Sequence, residues 1–212
     1  RDTARDEIRR TRALMVDEAA RWQTSLSPAP PEPLAGEALL AAALAAMEDD
    51  RTRDQAALLE EFVTLTAQAE AFVEAEDIAT VPKPTTLVVD LSPAHFSGAA
   101  IGGVYPSGPF DPGADTLFYV PSIPDSAPAG AREGFYRSFN THFNTMIISH
   151  EMFPGHYLQY KVAVSAAPAV RTLFASGSYT EGWGSFSEEL MLDAGWAGDA
   201  PLTRLAHLRK RL

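Results

Sequence analysis

The stretch "HEMFPGH" (residues 150–156) decides how the rest of the chain is read. A histidine followed at once by a glutamate opens a common zinc-hydrolase signature. In that signature a second histidine stands four residues after the first, so that both imidazoles leave one face of a helix toward one metal. Here the interval is longer by two residues, Pro154 and Gly155. On a straight helix His156 would be turned away from His150 by about 120°. Pro154, however, has no N–H to offer the carbonyl of His150, and its ring collides with that carbonyl. The sequence therefore predicts a kink or widened turn, with Gly155 tolerating an unusual backbone angle, that returns His156 to the side of His150.

Glu151 then occupies the position from which a glutamate acts as general base on the attacking water. A third metal ligand must come from another element, and "YTEGWGSFSEEL" (179–190) supplies carboxylates on a helix introduced by "GSYT". Glu181, Ser185 and Glu188 fall on one face of that helix. Glu181 is the expected third ligand, with Ser185 and Glu188 expected to hold the imidazole N–H groups. His95, His142 and His207 read as structural or surface histidines. Trp183 and Trp196 read as core aromatics.

Upstream of the motif the pattern divides in two. Residues 1–27 form a charged amphipathic helix with Ile8, Leu14, Met15 and Trp22 spaced for one face, and "SPAPPEP" (27–33) breaks it. Residues 34–76 carry Ala, Leu and Glu at helical density, with "EDDRTRD" (48–54) as the turn of a helical hairpin. Residues 1–80 are thus expected to be a helical scaffold and 81–212 the catalytic region. "TTLVVDL" (85–91) and "TLFYV" (116–120) read as strands, separated by a long Gly/Pro loop over 97–115. Helices are expected at 131–153, 156–165, 167–175, 179–194 and 201–212. The fold class is mainly α with a small inserted sheet, α+β.

With "HEMFPGHYLQ" and "EGWGSFSE" on the page, the chain resembles the bacterial metallopeptidase-like proteins grouped as domain of unknown function 885. Members carry HExxPGH followed by LQ and, further on, an EGW segment. The resemblance runs from about Val81 onward. It implies a mostly helical, gluzincin-like zinc site with His150 and His156 as metal histidines, Glu151 as base and Glu181 as carboxylate ligand. Many members have histidine where Tyr157 stands and tyrosine where Phe186 stands. Members are also longer, and the resemblance places further substrate-contacting groups in their C-terminal part, so these 212 residues are expected to bind metal but to hydrolyse weakly.

The formal charge of −11 argues against nucleic acid as a partner. The longest apolar run, "ALLAAALAAM" (38–47), is too short to span a membrane. The absence of cysteine excludes disulfides and thiolate ligands, so a metal must be held by histidine and carboxylate, and a cytoplasmic location is favoured. Together these features predict a zinc-dependent hydrolase of peptide or amide bonds. "TLFYV" is expected to serve as an edge for an extended substrate. Tyr105, Tyr119, His142 and Tyr179 are the candidate substrate or oxyanion contacts. Two alternatives share the ligand set: a non-haem iron enzyme built on two histidines and a carboxylate, and a binding module that retains a structural metal. Oligomeric state is not legible.

Overall fold

A computed structural model of the chain describes residues 2–93 and 102–212. His95 and the first part of the 97–115 loop lie outside the described residues. The chain begins with three helices, α1 (Asp2–Ser25), α2 (Gly36–Asp49) and α3 (Gln55–Ala75). The α2–α3 break falls in "EDDRTRD" because Asp54 caps α3, its side chain accepting the Ala57 N–H at 2.8 Å. Three strands follow, β1 (Leu87–Leu91), β2 (Gly103–Tyr105) and β3 (Thr116–Val120), then α4 (Ala129–Ser138), α5 (Thr141–Glu151), α6 (His156–Ala166), α7 (Ala169–Leu173), α8 (Gly177–Asp193) and α9 (Pro201–Lys210). The fold is mainly helical with a small sheet, as expected.

The sheet order is β1-β3-β2. β1 runs parallel to β3, from Leu87 opposite Thr116 to Leu91 opposite Val120, and β2 runs antiparallel to it. This corrects the expectation that "TLFYV" is an edge. It is the central strand, and its backbone is already paired on both sides; β2, three residues inside the Gly/Pro loop, takes the edge that a peptide would need. Thr116, Phe118 and Val120 of β3 are buried, and Phe118 stacks on Phe62 of α3 with ring centroids 5.7 Å apart.

The helix expected over 131–153 is two helices. Asn140 ends the run by capping α5: its side-chain oxygen accepts the Phe143 N–H at 3.0 Å while its amide donates to Arg137 O at 2.9 Å. The new helix is packed against α3, α8 and α9. Two apolar cores result. One joins α3, the sheet, α5, the start of α6 and α8 through Phe62, Phe118, Ile148, Phe153, Tyr157 and Met191. The other joins α1, α2 and α9 through Met15, Leu40, Met47 and Leu205. Each core draws on chain from both sides of residue 80, with α3 in the first and α9 in the second.

Candidate metal centre

The α5–α6 junction is a helix end and a fresh start, not a bulge within one helix. The N–H groups of Met152 and Phe153 both donate to Ile148 O, at 2.9 and 3.3 Å, and the Phe153–Pro154 peptide is cis. Gly155 takes φ −66° with ψ −141°, an unusual backbone angle as expected, and it also supplies room: a Cβ there would lie 1.9 Å from His150 O and 2.5 Å from Ser149 O. Met152, Phe153 and Tyr157 are fully buried and fix the turn to the core. Tyr157 points away from the histidines, accepting the Thr86 N–H at 3.0 Å. From α8, the Trp183 indole N–H donates to Pro154 O at 2.9 Å, so this residue, read as a core aromatic, ties α8 to the turn.

The junction sets the His150 and His156 rings 4.7 Å apart between centroids. Glu181 faces both: one carboxylate oxygen lies 3.4 Å from His150 Nε2 and the other 3.7 Å from His156 Nε2. One ligand atom from each of the three residues lies within 4.8 Å of the other two. The histidines are buried, whereas Glu181 is mostly exposed and closes the open side.

The far nitrogens orient the rings. His150 Nδ1 lies 2.6 Å from Glu188 Oε1 and 2.9 Å from the Lys210 ammonium; the closer carboxylate favours the proton on Nδ1, with Nε2 facing Glu181. His156 Nδ1 likewise donates to Gln159 Oε1 at 3.3 Å. Burial, with His150 beside it, lowers the His156 pKa and keeps the imidazole neutral, the form that binds metal. Glu188 is itself buried. Burial alone would raise its pKa, but hydrogen bonds from His150, His207 and Lys210 outweigh that and hold it at about 2. His207 Nδ1 donates to Glu188 Oε2 at 2.9 Å, and the Lys210 ammonium reaches Oε1. Two residues of α9 thus complete the network: His207, read from sequence as a structural or surface histidine, and Lys210, which the sequence did not single out.

Glu151 follows His150 at the helix end and is half-buried; burial raises its carboxyl pKa, His150 opposes the rise and Glu181 adds to it. Tyr160 stands one turn after His156, with ring centroids 6.0 Å apart, and its pKa is raised by burial and then by Glu181 and Glu151. The i, i+4 spacing from His156 was the signal for it.

Ser185 is exposed, and the imidazole partners are Glu188 and Gln159. The position expected of Ser185 on α8 is turned outward, while "YLQ" delivers Gln159 from the helix that carries His156. His142 is engaged elsewhere, with Nδ1 2.9 Å from Thr203 Oγ1 and Nε2 3.2 Å from Asp50. Tyr105 and Tyr119 pack on each other across the sheet at 5.2 Å. Tyr179 lies on the wall of a cavity between α6, α7 and α8.

One further glycine belongs to the site. A Cβ at Gly184 would lie 2.6 Å from His150 Cε1 and 2.7 Å from Nε2, so the ring lies flat against bare α8 backbone. Glu188 pins its other side, leaving no direction of retreat. Gly184→Ala is expected to weaken zinc binding by about 10- to 100-fold, the range for disturbing the support of a metal histidine. Gly182→Ala, where an added Cβ meets nothing within 4 Å, is the control. Equal zinc affinity in the two variants would show that Gly184 does not set the ring.

Over residues 1–212 the chain matches the family described as "Bacterial protein of unknown function (DUF885)". It belongs to that family. The match includes the first 80 residues, which the motif-based resemblance left out. No curated protein matches the chain. Two solved structures share its fold. One is described as a "putative lipoprotein of unknown function" from Shewanella oneidensis, with a TM-score of 0.81 and 22% identity over 99% of this chain and 36% of that one. The other is the "putative lipoprotein" from Colwellia psychrerythraea, with a TM-score of 0.72 and 20% identity over 98% of this chain and 33% of that one. The DUF885 chain described here therefore spans about a third of their length. Their description as lipoproteins overturns the cytoplasmic location favoured from sequence. The physical error is plain: a stretch without cysteine is compatible with oxidising and reducing compartments alike. Among the described residues no helix is long and apolar enough to cross a membrane.

Proposed function

We propose that this DUF885 region is the metal-binding part of a gluzincin-like peptide or amide hydrolase, with zinc held by His150, His156 and Glu181. The observation that carries the reading is the convergence of two buried imidazoles, each with Nδ1 engaged and Nε2 facing the same carboxylate, that of Glu181. Such a donor set fits a divalent ion of zinc's kind. A zinc ion there supplies Lewis acidity toward a carbonyl and acidifies water.

The chain's own groups do the rest. Glu151 takes a proton from the attacking water and returns it to the departing amine, and its raised pKa makes it a stronger base than an ordinary glutamate. Glu188 keeps the His150 tautomer fixed with help from His207 and Lys210. Tyr160 is the phenol best placed to donate to the developing oxyanion, in preference to Tyr105, Tyr119, His142 or Tyr179.

A mixed peptide library incubated with metal-stripped and zinc-reloaded protein tests the reading. Cleavage should appear only on reloading, and Tyr160→Phe should lower it by about 10²-fold at unchanged zinc content, as for loss of one oxyanion donor. Cleavage that survives complete stripping contradicts the zinc assignment. An intact library at one bound equivalent of zinc contradicts the hydrolase.

A further inference from the structure

A cavity of about 890 Å³ opens between α6, α7 and α8, lined by sequence neighbours of the candidate ligands but not by the ligands themselves. On α6, Gln159 and Tyr160 line it one turn after His156; on α8, Thr180 and Trp183 line it on either side of Glu181. Most of the remaining wall is apolar, with Leu158, Val162 and Phe174 among its residues. Phe174 is 80% exposed and Tyr179 68%, so the rim presents aromatic residues to water. Two wall residues carry buried polar atoms without a partner, Gln159 Nε2 and Thr172 Oγ1. The Gln159 oxygen is used by His156, which leaves its amide as a pure donor.

We infer that this cavity is the side-chain pocket of the substrate site, taking a large apolar residue, aromatic or branched aliphatic, of a peptide. The inference rests on the hydrolase reading for calling the occupant a substrate. An apolar wall with few convergent polar atoms is how small-ligand sites are built, and the volume accommodates a large side chain with its flanking main chain. The polar residues of the wall favour a peptide: Gln159, Tyr160, Thr172 and Thr180 carry amide and hydroxyl groups of the kind that main-chain amides and carbonyls satisfy and a hydrocarbon chain does not. Tyr160 on the wall, its ring centroid 6.0 Å from that of His156, brings the occupant beside the candidate centre.

The test uses metal-stripped protein, so that it does not depend on zinc. Acetylated tripeptide amides Ala-Phe-Ala, Ala-Leu-Ala and Ala-Ser-Ala are titrated by NMR, with laurate as a non-peptide probe. The Phe and Leu peptides are expected to bind about 10- to 100-fold more tightly than the Ser peptide, in keeping with burial of one large apolar side chain. Ala163 lies on the wall, and Ala163→Leu or the bulkier Ala163→Phe should erase that preference without altering zinc affinity. Thr172→Val should weaken all three peptides alike. Equal binding of the three peptides, a preference that persists in folded Ala163→Leu, or tight binding of laurate alone overturns the pocket. Protein that discriminates among peptides but takes up no zinc keeps the pocket and loses the hydrolase; zinc uptake without discrimination does the reverse.

Discussion

Glu151→Gln is expected to lower peptide hydrolysis by about 10²-fold or more while zinc occupancy stays near normal. The substitution keeps the size of the side chain and removes its basicity. Glu151 is not among the three converging ligand groups, so the metal should not notice its loss. Its surroundings suit the proposed role: it follows His150 directly, and burial pushes its carboxyl upward, with Glu181 adding to the shift. The comparison is single-turnover hydrolysis by zinc-loaded parent and variant, with metal content measured on the same samples. Unchanged turnover would remove Glu151 from the mechanism. Loss of zinc together with activity would instead make it a ligand.

Gly155→Ala should be nearly as damaging without touching any ligand. The methyl group would meet His150 O at 1.9 Å and Ser149 O at 2.5 Å, and both are backbone atoms held by α5. A flexible neighbour could swing away, but these cannot, so the α5–α6 junction must open. Opening it moves His156 from His150 and strains Phe153 and Tyr157 in the core. Zinc affinity is expected to fall by about 10²-fold and thermal stability to drop, as overpacking at a rigid site commonly costs 1–3 kcal/mol, roughly. Competition titration against a zinc chelator and thermal unfolding of the metal-free protein separate the two effects. Affinity equal to the parent's would mean that the turn can be rebuilt without the glycine.

The centre was legible where local chemistry constrains the chain. Pro154 rules out a straight helix by covalent structure alone, and the consequence, two histidines returned to one side, followed without knowledge of the fold. Glu181 was legible from helical spacing. Gly155 was legible for its backbone angle but not for its closeness to His150 O, because a sequence reports that Cβ is missing and not which neighbour requires it. Ser185 was misplaced by choosing a helix face without knowing the angle at which α8 meets α5; the partner of His156 came from its own helix as Gln159. His207 and Lys210 could not be found this way, since their place beside Glu188 depends on α9 folding back across α5 and α1. The α4–α5 break was carried by Asn140, a residue common at helix starts, yet apolar spacing on both sides concealed it. β2 left still less trace, three residues in a Gly/Pro loop that become a strand only because β3 offers an unpaired edge.

The most direct test of the account is a crystal of zinc-loaded protein measured on both sides of the zinc absorption edge. One anomalous peak is predicted, within bonding distance of His150 Nε2, His156 Nε2 and a Glu181 oxygen, and lost in His156→Ala. A crystal of protein shown to carry zinc in which the peak lies elsewhere, or no peak in protein saturated with the ion, would contradict the assignment of this DUF885 site as a metal centre.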